Sequence, residues 1–349
     1  MLDLAVLLSP DTDGQLLGPR LRPDGVPGRP VVTVDLSQSA GLSQQQIGIV
    51  AANLQRARAA VIGVSVSALP PPAQLLEAAA VTLVAREAAF PAERRTVACA
   101  DVGEAVARLE SSAQAAPTAA LALCWLLRSQ PRLAVEEALV AESALYSALL
   151  AGGEFRTWLA RRAAARAPEP GRRVDLARRA DIVHITLTRA ARRNALDARM
   201  RDELGAALAV AEWDEDLRVE IRGEGPDFCA GGDLDEFGRA GDLAAAHMVR
   251  VEASVGVRLH RLADRVRVDV HGRCIGAGVE LPAFAGQVVA APGSTFRLPE
   301  VNMGLVPGAG GTVSVTARIG RWRTFWLAVT GAAIDAGTAR AWGLIDSIS

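Results

Sequence analysis

Gly272-Arg273-Cys274-Ile275-Gly276-Ala277-Gly278-Val279-Glu280-Leu281 sets three glycines and an alanine just ahead of an acid in otherwise apolar sequence. Small residues let a backbone approach a bound molecule closely, and a carboxylate in apolar surroundings needs a partner or a task. Three more segments flank this one. Upstream stand Arg192-Arg193-Asn194-Ala195-Leu196-Asp197 and Asp227-Phe228-Cys229-Ala230-Gly231-Gly232-Asp233-Leu234. Downstream, residues 296–311 read FRLPEVNMGLVPGAGG and carry a second acid, Glu300. Gly276-x-Gly278 lacks the third glycine and the distal acid of a dinucleotide fingerprint. No Gly-Lys-Ser/Thr follows the glycines at 304–311, which excludes a P-loop. Cys229 has no base beside it and reads as a small buried residue.

Outward from these segments the pattern is α/β. Ile182–Leu187 (IVHITL) and Val266–Val270 (VRVDV) alternate as strands; Val219–Gly223, Val288–Ala290 and Thr295–Arg297 supply shorter ones. Asn194 or Asp197 can cap a helix running to Trp213, and helices fit at 244–263, 278–283, 310–319, 321–330 and 335–342. Residues 167–174, with the makeup APEPGRRV, read as a linker. Before it, 117–166 is helical. In its longest helix, Leu133–Leu150, the apolar positions (Leu133, Ala134, Ala138, Ala141, Leu145, Ala148, Leu149) leave Glu136, Glu137 and Glu142 on the other face. Residues 1–30 read as loop, and 31–116 alternate short β-branched runs with helical ones, so that 1–116 forms a small α/β domain. It has neither a phosphate loop nor a cluster of catalytic residue types.

Composition narrows the function classes. The 349 residues are enough for two domains, and half are hydrophobic. A net charge of −1 gives no reason to expect nucleic acid or an anionic membrane as partner. All basic residues are Arg, which removes lysine Schiff-base chemistry. The four cysteines lack CxxC spacing and the four histidines lack HxxxH, so no metal site is expected. No apolar stretch approaches membrane-span length and no basic region precedes the apolar N-terminal run; a soluble, cytoplasmic protein is expected.

The four segments, in this order, resemble the crotonase (enoyl-CoA hydratase/isomerase) superfamily over 175–349, ending in Ala341-Trp342-Gly343-Leu344-Ile345-Asp346. The resemblance implies a crotonase-type β/α spiral core behind the smaller α/β plus helical N-terminal domain. It also implies acyl-CoA as the small-molecule substrate, no cofactor beyond the CoA moiety, and a homo-oligomer (trimer or hexamer). Reactions beside a thioester carbonyl pass through an enolate, whose oxygen needs preorganised donors; losing one costs about 3 kcal/mol. By motif position the donors are the Ala230 and Ala277 N–H groups. Glu280 and Glu300 fall on the acid/base positions of the hydratase branch, with Glu300 favoured as proton donor to Cα. CoA contacts fall on Arg193, Ala195, Leu196, Gly231, Gly232, Asp233 and Leu234.

Addition of water to an α,β-enoyl-CoA is the leading expectation. Isomerisation, thioester hydrolysis and cofactor-free dioxygenation share the oxyanion hole, and an acyl-CoA-binding scaffold is the non-enzyme rival. Residues 141–150 (AESALYSALL) resemble the helical N-terminal domain of the dihydroxyphenylacetyl-CoA dioxygenases, which do not keep the glutamate pair. The core is expected to lack the family's usual C-terminal helical region, with the helices of 117–166 covering the acyl pocket in its place.

Overall fold

In the computed structural model, residues 1–9, 16–88, 93–167 and 169–349 are described. Part of the expected N-terminal loop (10–15) and Pro168 of the expected linker lie outside them. The chain forms two compact units, one of residues 1–128 and 319–330, the other of 129–318 and 331–349.

The first unit holds a four-stranded parallel sheet in the order β1 (Val31–Asp35), β2 (Ala60–Ser65), β3 (Val81–Ala85), β4 (Thr96–Cys99). Its strands are β-branched and buried almost throughout, as parallel strands covered on both faces must be. The same unit holds the helices α1 (Gln44–Arg56), α2 (Ala73–Ala78), α3 (Val102–Ala115) and α4 (Pro117–Ser129). Ser43 starts α1 through a capping box with Gln46, and Asp101 caps α3 by accepting from Glu104 N. Val50, Leu54 and Leu75 are wholly buried in this core, each worth about 1.5–3 kcal/mol of transfer free energy.

The second unit begins with α5 (Val135–Leu150) and α6 (Gly153–Ala160). Then follow β5 (Val174–Arg179), β6 (Ile182–Leu187), α7 (Ala198–Trp213), β7 (Arg218–Gly223), α8 (Leu243–Glu252), α9 (Val255–Arg261) and β8 (Val266–Val270). The C-terminal part holds β9 (Arg273–Ile275), α10 (Ala277–Glu280), β10 (Gln287–Ala290), β11 (Thr295–Arg297), the start of α11 (Gly311–Thr330), whose residues 319–330 belong to the first unit, β12 (Ile334–Asp335), α12 (Ala336–Trp342) and β13 (Ser347–Ile348). A six-stranded sheet runs β13-β10-β8-β7-β6-β5, parallel except for β5 against β6, and a small sheet runs β12-β11-β9. Register keeps like with like: Val183 faces Val219, Ile185 faces Ile221, and these face Val266 and Val268. A one-residue slip would turn all of them to the opposite face.

The fold class is the expected one, α/β. Several boundaries differ. The compact units part at 128/129 rather than at 167–174, and α5 and α6 belong to the second unit. Val174–Arg179 is a strand where the linker was expected to end; only Val174 is buried, so it gives no apolar alternation to read. The helix expected over 244–263 is two, because Ser254 ends one and caps the next by accepting from Val257 N. The helical stretch expected to run to 166 ends at Ala160. α11 spans both helices expected around Gly320, whose φ of 82° interrupts it.

Candidate active site

β9 and β11 are parallel neighbours, with Ile275 opposite Arg297, so both strands end at the same edge. Glu280 lies five residues beyond one end and Glu300 three beyond the other, which brings two acids distant in sequence together. Gly276 links the two segments. Its N–H donates to Arg297 O (2.9 Å), and its φ of 51° and ψ of −119° turn the chain into α10. A Cβ there would lie 2.5 Å from Glu300 Oε1 and 3.7 Å from Glu280 Oε1, so any larger residue would be strained and would push the Glu300 carboxyl aside.

The two carboxyl groups are held differently. Glu280 Oε2 accepts from Ala309 N (2.7 Å) and Gly311 N (2.9 Å) at the start of α11. Glu300 Oε2 is buried with no hydrogen-bond partner among the described residues. Burial pushes Glu280 up to about 7, against the two N–H bonds that favour its anion. Glu300 is held well above the ordinary carboxyl range, by burial first and then by Glu280.

A third buried glutamate, Glu142 on α5, joins them. Its Oε1 accepts from Gly310 N (2.8 Å), and its Oε2 from Thr312 N (3.0 Å) and Thr312 Oγ1 (2.6 Å). Gln130 Nε2 donates to the same Thr312 hydroxyl (2.6 Å). Four successive N–H groups, 309 to 312, thus alternate between Glu280 and Glu142. Burial and then Glu280 push Glu142 up to about 8. From its sequence Glu142 is expected on the polar face with Glu136 and Glu137. The structure corrects this: Ala138, Leu139, Glu142, Ser143 and Leu149 are buried, while Leu133 is exposed. The signal was available, because Glu142 is three and four residues from Leu139 and Ala138 and therefore on their face.

These groups open on a cavity of about 840 Å³ lined by Ala277, Glu280, Leu281, Glu300 and Gly308–Gly310, with Leu139, Glu142 and Tyr146 from α5. Ala277 N–H, at the first position of α10, has no acceptor among the described residues. The other expected donor, Ala230 N–H, donates to Arg193 O (2.9 Å), and Ala230 is not on the cavity wall. Cys229 is buried and its thiol pushed up to about 12 by burial, which leaves it inert.

The expected CoA segments pair through Leu196 N to Gly231 O and Asp233 N to Leu196 O, each 2.8 Å. Leu196, Gly232 and Asp233 reach the cavity wall; Arg193, Ala195, Gly231 and Leu234 do not. Two interior devices fix these loops. Arg189 binds Asp233 (2.7 Å) and Asp197 (3.3 Å), all three buried. Asn194, with a φ of 51°, donates through Nδ2 to Glu224 O, Asp227 O and Phe228 O and accepts from Arg189 N. Asp197 rather than Asn194 caps α7, accepting from Met200 N. Arg193 is exposed beside Asp227 (3.7 Å), and Arg192 pairs with Glu169 and Asp235.

The enoyl-CoA hydratase/isomerase family matches residues 177–349. The 2,3-dehydroadipyl-CoA hydratase of Escherichia coli K12 is 32% identical over 174 residues, 50% of this chain and 68% of that protein. The 1,2-epoxyphenylacetyl-CoA isomerase of the same organism is 33% identical over 170 residues, 47% of this chain and 64% of that protein, so the chain spans only about two thirds of such relatives. Among solved structures, the enoyl-CoA hydratase of Thermoplasma volcanium matches with TM-score 0.48 and 29% identity, covering 51% of this chain and 72% of that one.

Proposed function

From the premise that this chain belongs to the enoyl-CoA hydratase/isomerase family, we propose that it adds water across the double bond of an α,β-enoyl-CoA. The observation that supports this reading best is the convergence of Glu280 and Glu300 on one point beside Gly276, at the wall of a cavity. Their surroundings divide the labour. Two backbone N–H bonds favour the Glu280 anion, which makes it the base; Glu300, with an unpartnered oxygen, stays protonated and is the acid.

In the forward step Glu280 takes a proton from water, whose oxygen bonds to Cβ. The π electrons move toward the thioester, whose oxygen gathers negative charge and is met by Ala277 N–H at the start of α10. Glu300 then protonates Cα. The step leaves Glu280 protonated and Glu300 ionised, and proton exchange between them restores the starting state. Ala230 can supply a second donor only by giving up its bond to Arg193 O.

The test is loss of enoyl absorbance from crotonyl-CoA and a panel of branched and aryl enoyl-CoAs, with Glu280→Gln and Glu300→Gln alongside. Hydration that falls by about 10²–10⁴ in both variants supports the reading. Solvent deuterium entering Cα without hydration would replace hydratase by isomerase, and no change in either variant would remove the glutamates from the mechanism.

A further inference from the structure

Four arginines line the cavity: Arg201, Arg250, Arg258 and Arg261. Three have carboxylate partners, namely Asp202 for Arg201 (2.7 Å), Glu212 for Arg258 and Glu136 for Arg261 (2.7 Å). Arg250, on α8, pairs with no carboxylate among the described residues. Its Nε donates to Ser143 Oγ (3.1 Å), and its Nη2 to Ser147 Oγ and Ser143 O (3.5 Å). Its guanidinium also stands 5.1 Å over the Tyr146 ring. His247 shares the Ser143 hydroxyl (2.9 Å).

A half-buried cation normally has a counter-charge, because neutral hydroxyls replace only part of its lost hydration. Here hydroxyls and a ring fix the guanidinium plane and leave Nη1 without a partner among the described residues. That leaves the two N–H groups of Nη1 as preorganised, charged donors for an anion's oxygen. Its position relates it to the reacting end of the site. A Cβ on Gly308 would lie 2.5 Å from the Tyr146 ring, and the next residue, Ala309, holds Glu280. Arg250 is therefore one aromatic ring away from the loop that anchors Glu280 and Glu142. The Leu196 and Gly232 loops expected to meet CoA contribute separately to the wall.

We propose that Arg250 receives a carboxylate at the far end of the acyl chain, so that the substrate is the CoA thioester of a dicarboxylic acid. This rests on the acyl-CoA reading of the cavity. The same cation could instead meet a phosphate of CoA, and the test separates the two sources.

Binding of saturated thioesters needs no turnover, so a failure here is distinguishable from a failure of the hydratase reading. Calorimetry on the full chain would compare adipyl-CoA with hexanoyl-CoA, succinyl-CoA with butyryl-CoA, and free CoA, for wild type and Arg250→Gln. At least one dicarboxylyl ester is expected to bind roughly ten- to hundredfold more tightly than its monocarboxylyl counterpart. Arg250→Gln should erase that preference while leaving hexanoyl-CoA and free CoA within about twofold. Equal weakening of every ligand, free CoA included, would assign Arg250 to a phosphate and overturn the proposal. No preference in the wild type would overturn it too, whether or not the variant folds.

Discussion

Glu280 on α10 and Glu142 on α5 bind the same four-residue stretch of backbone in different ways. Glu280 takes Ala309 N–H and Gly311 N–H on one oxygen, Oε2, and its Oε1 lies toward Glu300. Glu142 uses both oxygens, one on Gly310 N and the other on Thr312 N and Oγ1. One carboxyl leaves its Oε1 outside the loop's hydrogen bonds; the other uses both oxygens to hold the loop. Two buried acids with similar surroundings can thus have separate roles, and hydrogen-bond count distinguishes them where burial does not.

The largest expected effect comes from replacing each acid by its amide. A glutamine at 280 can turn its carbonyl oxygen to both N–H groups, so Glu280→Gln should cost under about 1 kcal/mol of stability yet lower kcat/KM by about 10²–10⁴. A glutamine at 142 has one acceptor oxygen for donors on two sides, and its NH2 would face Thr312 N–H. Glu142→Gln should therefore destabilise by about 1–3 kcal/mol, with kcat changed by less than about tenfold. Chemical denaturation and initial rates on the same preparations check this. If Glu142→Gln lost as much kcat as Glu280→Gln, the division of roles would be wrong.

Gly276→Ala ranks next. Its Cβ would meet Glu300 Oε1, and a φ of 51° is strained for alanine. A loss of about 1–3 kcal/mol together with displacement of Glu300 is expected, so activity should fall more steeply than affinity for a saturated acyl-CoA. Equal losses in turnover and affinity would mean that Gly276 serves the cavity's shape rather than the carboxyl pair.

The same contrast governs what could be read from sequence. Ile182–Leu187, Val266–Val270 and Thr295–Arg297 have the bounds expected of them, because alternation and β-branching are local properties. The Gly276–Glu280 segment is local in the same way: the turn, the Ala277 N–H and the acid sit within five residues. Glu142 could not be read as a partner of 309–312, since that pairing spans about half the chain and only tertiary packing creates it. Ala230 shows the converse. Its motif position is clear, yet its N–H is committed to Arg193 O, held by a left-handed turn at 193–194 that no local pattern announces.

pH dependence gives a subtler effect. Glu142 is raised to about 8 and Glu280 to about 7, so the folded state binds protons that the unfolded chain has released. Their contribution to stability is complete below the unfolded carboxyl range and fades as pH rises toward 7–8. Denaturation midpoints should fall from about pH 5 to pH 8, and Glu142→Gln should flatten the fall. Glu142 also raises Glu300, so its removal should move the alkaline limb of kcat/KM to lower pH. An unchanged slope and limb would mean that the two acids titrate independently of Glu142.

The smallest effect belongs to the rim. Arg261 pairs with Glu136, and both side chains are more than half exposed, at 58% and 54%. Solvent and salt screen such a pair, and ordering two long side chains offsets much of its attraction. Arg261→Gln should shift stability by under about 1 kcal/mol and acyl-CoA affinity by under about threefold, with little left at high salt. Arg250 carries the same charge on the same cavity but is half-buried against hydroxyls, and its loss should be selective for one class of ligand. If Arg261→Gln reproduced that selectivity, the cavity's field as a whole, rather than one guanidinium on its wall, would be what recognises the anion.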